Sequence, residues 1–195
     1  MIISNKTKTD QTQLNWQWHR HNFRAMNTQV ETSLYSQHPA SETILADVQQ
    51  LFISFEKRLS RFDPNSELSQ LNACEQDSFQ ASPILLDAVE VALLAAEATG
   101  GLYDPAILSN LEKAGYNRSF EAIENACPYA LAPQAAPTTT PAPFHAPYQT
   151  IRLNRAAREI YKPAGIRLDL GGMGKGWTVD RAADNGSTDQ QARHG

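Results

Sequence analysis

Cysteine is nearly absent from this sequence. The two that occur, Cys74 and Cys127, stand 53 positions apart in 195 residues, and they form neither a CxxC pair nor a zinc-ligand spacing. Two unpaired thiols in a reducing compartment fit this better than a disulfide. No apolar run approaches a membrane span. The amino terminus turns polar after three apolar residues, so the chain as written carries no signal peptide. Its expected location is cytoplasmic, or periplasmic if the true start lies upstream. A basic excess is missing too. Lys and Arg number 17 against 21 Asp and Glu, a net charge of −4, which speaks against a nucleic-acid partner, whose phosphates call for a cationic face. What remains is an ordinary globular composition, 41% hydrophobic and 19% charged, long enough for one domain with a core.

Hydropathy patterning gives the coarse organisation. Leu14, Trp16 and Trp18 alternate with polar residues, and Val30, Thr32 and Leu34 repeat that period after a break at Met26-Asn27-Thr28. This is two half-buried strands around a turn. Ser41 reads as an N-cap for an amphipathic helix over 42–59, whose apolar residues Ile44, Leu45, Val48, Leu51, Phe52, Phe55 and Leu59 share one face. A turn-rich segment leads into a short helix over 66–71. Ser82 and Pro83 open a second long helix that stops at Gly100-Gly101, and a third, short one follows Pro105. Six of the 11 prolines fall within 128–147, read as an irregular loop inside the domain. Short strands are expected over 150–154, 159–162 and 166–170. The order of elements predicts an α+β fold, a mixed or antiparallel sheet with packed helices, rather than alternating βαβ units.

Four segments could carry chemistry. Asp169-Leu170-Gly171-Gly172-Met173-Gly174-Lys175-Gly176 follows an expected strand and precedes a helix-like run from Trp177 to Asp184. Closely spaced glycines let backbone approach a ligand, the helix start would offer unpaired N–H groups to an anion, and Lys175 adds a cation. A Rossmann fingerprint begun at Gly172 would need glycine at Trp177. A P-loop would need glycine at Asp169 and Ser or Thr at Gly176. The run is therefore a third kind of glycine turn, with a plain tight connection as the alternative. Thr99 to Pro105 ends a helix on two glycines and then presents Tyr103 and Asp104, a stacking ring beside a carboxylate; a helix C-cap explains the glycines alone. The stretch 58–69 reads by composition as a structural turn between helices, and Ala25 to Thr28 as a hairpin-like turn. His19 and His21 share a strand face, but no acid or cysteine pattern completes a metal site, and they read as ordinary surface or interior histidines.

In order and rough spacing these four segments resemble the motifs of the FAD:protein FMN transferases, the ApbE-type flavin transferases. Met26-Asn27-Thr28 stands for Met-Gly-Thr. Residues 59–72 match the Leu-Ser-x-aromatic and Ser-Glu-Leu-Ser-x-Leu-Asn stretch. Gly100 to Pro105 match Gly-Gly-x-aromatic-Asp-Pro, and Asp169 to Asp180 match Asp-Leu-Gly-Gly-x-x-Lys-Gly-x-x-x-Asp. The last two are the specific ones, and together the four cover about 26–184. The resemblance implies magnesium-dependent transfer of FMN from FAD to a Thr or Ser hydroxyl of an acceptor flavoprotein, with release of AMP. This is phosphoryl transfer, in which the protein mostly positions groups and the metal offsets charge.

By position, the resemblance assigns FAD contacts to Met26, Phe62, Leu102, Tyr103, Asp104, Lys175 and Arg181, and a magnesium-binding main-chain carbonyl to Thr178. It names no catalytic residue. Asn27 stands where the family has Gly, and Phe62 lacks the hydroxyl of the usual Tyr. The domain is expected over 26–184, after an N-terminal strand region over 1–25. Family members continue for another hundred residues or so with further magnesium ligands. The segment 185–195, polar and without helical periodicity, reads instead as an atypical tail of a chain truncated at its C-terminus. A truncated, inactive copy or a non-catalytic flavin-binding remnant are the readings this leaves open.

Overall fold

The computed structural model describes residues 16–116 and 147–191, with side chains described up to Asp184. Cys127, Leu14 and all of the proline-rich 128–147 segment except Pro147 lie outside the described residues. An antiparallel hairpin comes first, β1 (Gln17–Ala25) and β2 (Thr28–Ser36), in register from Gln17 opposite Ser36 to Ala25 opposite Thr28. The whole turn is Met26-Asn27, both left-handed at φ 51° and 57°. That is the primed two-residue turn that suits strand twist. Asn27 tolerates it, whereas for Met26 it is a strained state worth on the order of 1 kcal/mol.

Helix α1 (Ser41–Leu59) packs under the hairpin, followed by α2 (Glu67–Ala73), strand β3 (Ser78–Gln80) and α3 (Pro83–Ala98). A 3-10 turn at Pro105–Ile107 runs into α4 (Leu108–Lys113). Another 3-10 turn, Pro147–Thr150, leads to β4 (Arg152–Asn154) and β5 (Glu159–Tyr161), and α5 (Gly171–Gln191) ends the described chain. A second antiparallel sheet has the order β3-β5-β4. The α+β expectation, with antiparallel sheets and packed helices, holds.

Several local expectations change. Ser41 is not the cap of α1 but lies inside its first turn, buried, with its hydroxyl donating to the His38 carbonyl at 2.6 Å; Ala40 stands at the N-cap. Strand β3 was not anticipated, because three residues are too few to show a period. Residues 166–170 form no strand. The Leu168 N–H and carbonyl both bond the Asn72 side chain, at 2.7 and 2.8 Å, and the Asp169 N–H bonds the Pro105 carbonyl at 2.8 Å. With its backbone groups paired this way, the segment needs no ladder. The glycine run is not a turn before a helix but the first turns of α5 itself, and α5 continues to Gln191, into the stretch expected to be non-helical.

The core lies between α1, α2, α3 and the segment leading into α5. Leu68, Leu71, Leu85, Val89, Ile160 and Leu168 are fully buried, and Trp177 of α5 stacks on Phe55 of α1 with ring centres 4.9 Å apart. Small side chains at Ala88, Ala92 and Ala96 give α3 a buried stripe that neighbours can approach closely. The helix closes on Gly100 and Gly101, at φ 61° and 84°, with the Gly101 N–H returning to the Ala96 carbonyl at 2.8 Å.

Candidate functional site

The three later motifs converge on one short segment, 168–170. The Ser66-Glu67-Leu68-Ser69 stretch works as a scaffold. Ser66 caps α2 by accepting from the Ser69 N–H at 3.0 Å. The Glu67 carboxylate accepts from the Ser82 N–H at 2.5 Å and the Ser82 hydroxyl at 2.6 Å, tying α2 to the start of α3. Asn72, at the far end of α2, clamps Leu168 on both sides. Pro105 holds Asp169 through its carbonyl. Arg61 completes the arrangement, its Nε 2.5 Å from Asp169 Oδ2, with both side chains largely buried.

These fixings open a cavity of about 370 Å³ between the hairpin turn, the C-terminal end of α1, α4 and the N-terminal end of α5. Its apolar wall includes Met26, Leu59, Phe62, Leu111, Leu170 and Tyr116, and its charged groups are Glu56, Arg61, Asp169 and Lys175. The two acids and two bases balance formally. Arg61 donates to the Tyr116 carbonyl at 2.9 Å and lies over the Phe62 ring at 4.1 Å, a stack that fixes the ring at the pocket's edge. Thr178 is fully buried; its hydroxyl donates to the Gly174 carbonyl at 2.7 Å and lies 3.7 Å from the Met26 sulfur, joining α5 to the strained turn.

Of the residues assigned from sequence, Met26, Phe62 and Lys175 meet at this cavity. Leu102, Tyr103, Asp104, Thr178 and Arg181 are not among its lining residues. Leu102 is 94% exposed. The Tyr103 ring lies against Gly172, where a Cβ would come within 2.9 Å of its Cε2, so glycine is what admits the ring. Its hydroxyl is buried without a partner among the described residues. Burial, then the nearby Asp169 and Asp104 charges, push the Tyr103 pKa up to about 12. Asp104 and Lys175 do not share the cavity. The Asp104 carboxylate turns back to accept from the Ala106 N–H at 2.8 Å and from the Tyr148 backbone, and burial raises its pKa in spite of those bonds. Arg181 lies on another side of α5, over Trp177 and paired with Asp87 at 3.3 Å.

Sequence reasoning did not single out Arg61, Asp169, Glu56 or Tyr116 as site residues. The available signal was the charge at Arg61 beside the aromatic of its motif and the acid opening the glycine run; Glu56 and Tyr116 carried none. The expectation of a free anion site at the glycine run is also revised. Asp169 Oδ1 accepts from the Gly171 N–H at 2.7 Å, so the chain's own carboxylate occupies the positive end of α5.

The description of the ApbE family fits residues 26–192 of this sequence. The chain belongs to the ApbE family. Its fold is similar to the solved ApbE protein of Thermotoga maritima, with a TM-score of 0.67 and 21% identity over 85% of this chain and 51% of that one. It is likewise similar to the flavin transferase ApbE of Vibrio cholerae, at 0.64 and 21% over 89% and 54%. The flavinyl transferase ApbE of Pseudomonas stutzeri gives 0.65 and 14% over 87% and 53%. This ApbE-family chain thus spans about half the length of the solved structures it matches. Among curated proteins none matches it.

The magnesium that the family implies does not fit the described residues. Thr178 is sealed inside α5, where helical carbonyls are already bonded. Asp169 is engaged by Arg61 and Gly171. No three His, Cys, Asp or Glu side chains gather among the described residues, whereas this hard cation favours carboxylates and phosphates.

Proposed function

We propose that the chain serves FMN transfer from FAD to a Thr or Ser hydroxyl of an acceptor flavoprotein. The acceptor oxygen would bond to the FMN phosphorus, the bond to AMP would break, and AMP would leave as the hydroxyl gives up its proton. The observation that carries this reading is the cavity joining Met26, Phe62 and Lys175, since its size and apolar wall suit a fused aromatic ring. Met26, Leu59 and Phe62 would hold the flavin ring, while Lys175 would face its phosphate end. Ligands for the family's magnesium would come from outside the described residues, and no step is assigned to the metal. The second reading is a flavin- or nucleotide-binding chain without transfer activity.

The test is FAD titration followed by flavin fluorescence, then incubation with FAD, magnesium and a Thr-bearing acceptor peptide, with mass spectrometry for a covalent FMN adduct. Binding that Lys175→Gln and Phe62→Ala both weaken, together with an adduct, supports transfer. Binding without an adduct selects the second reading. No flavin binding at all removes both.

A further inference from the structure

One guanidinium joins three walls of the cavity. Arg61 stands on the turn between α1 and α2, with its side chain 14% exposed. Its Nε lies 2.5 Å from Asp169 Oδ2, just before α5, and its Nη1 donates to the Tyr116 carbonyl at 2.9 Å, just past α4. Its Cζ lies over the Phe62 ring, 4.1 Å from the centre. Two of these three contacts are with parts that are already fixed. Asp169 is tied to Pro105 and Gly171 at 2.8 and 2.7 Å, and the Tyr116 N–H returns to the Leu111 carbonyl at 2.9 Å. Phe62 differs. It stands on the same turn as Arg61 and is 47% exposed, so core packing holds it weakly and the guanidinium is what its ring rests on.

Resting on the flavin reading of this cavity, we infer that Arg61 is a positioning residue: it sets the Phe62 ring against the flavin and takes no part in recognising the phosphate. The Asp169 carboxylate beside it offsets its charge locally, which makes it a poor receptor for a second anion. Lys175 is the other cation at the cavity. What Arg61 contributes is shape. A guanidinium is planar, so its edge donates to one wall while its face stacks on another. Lysine could keep the ion pair with Asp169, but it is a point charge without a stacking face and could not hold all three walls. A ring held from one side is already ordered when a fused aromatic ligand arrives, whereas a loose ring must be ordered at the cost of affinity.

The test compares riboflavin with FMN, two probes that share the ring and differ in the phosphate. Both are titrated against the full chain by flavin fluorescence, with circular dichroism to establish that each variant is folded. Arg61→Lys is expected to raise both dissociation constants alike, by roughly tenfold. Lys175→Gln is expected to raise the FMN constant and leave that of riboflavin unchanged. In a Phe62→Leu background, Arg61→Lys should cost less than about threefold, because the ring it acts through is gone. If Arg61→Lys fails to fold, Arg61→Gln with Asp169→Asn takes its place under the same expectations, since that pair leaves no lone buried charge. A loss confined to FMN would make Arg61 a phosphate ligand and overturn the inference. So would unchanged affinity for both probes, or an equal loss with and without Phe62. Each of those failures leaves the flavin reading standing, because the wild-type chain still binds. A wild-type chain that binds neither probe removes that reading and this inference together.

Discussion

Segment 168–170 and the nine-residue strand β2 are both non-helical backbone, and their backbone groups are treated in opposite ways. Leu168 and Asp169 form no sheet, yet Asn72, Pro105 and Arg61 reach them from three distant parts of the chain. Strand β2 is regular along its length, yet among the described residues it pairs with β1, its sequence neighbour, and with no other strand. Regular geometry does not by itself complete a strand, and irregular geometry need not be loose. What matters is whether each buried N–H and C=O has a partner.

Asn72→Ala should break this contrast most strongly. It strips both Leu168 bonds at a position where Leu168 itself is fully buried. A loss of about 2–4 kcal/mol in urea unfolding is expected. A change below about 1 kcal/mol would mean that water or a small shift replaces the clamp.

Gly172→Ala comes next. Its Cβ would meet the Tyr103 ring at 2.9 Å, a clash expected to cost about 1–3 kcal/mol. Combining it with Tyr103→Ala should recover part of that loss. Strict additivity of the two changes would show that the ring is not the obstacle.

Tyr103→Phe tests the buried hydroxyl. The folded pKa is raised to about 12 from 10.0, so the native state keeps its proton where the unfolded chain has lost it. Stability from this group is therefore intact below pH 10 and is lost as pH rises from about 10 through 12. Removing a hydroxyl that has no partner among the described residues should leave stability at pH 7 unchanged or improved by up to about 1 kcal/mol, and it should flatten the decline above pH 10 in melting curves. An unchanged alkaline slope would place the loss elsewhere.

The smallest effect should come from the outward face of the hairpin. Trp18 is 62% exposed and touches Tyr35, with ring centres 5.1 Å apart. Trp18→Ala should change unfolding free energy by less than about 1 kcal/mol. A larger loss would show that the outer face is already covered.

The sequence by itself determined the elements whose signal is local. Apolar period set α1, Ser82-Pro83 set the start of α3, the glycine pair set its end, and Met26-Asn27 set the hairpin turn. The four motifs were equally legible as a family pattern. Tertiary structure alone decided what those motifs do. The apparent strand at 166–170 became an irregular segment because Asn72, 96 positions away from Leu168, supplied bonds that no local window contains. The glycine run became helix because docking Trp177 on Phe55 and closing Gly172 on Tyr103 outweighed the poor helical propensity of glycine. Asp104 turned away from the cavity, and Arg61 turned into it, because each found its partner only in the folded chain.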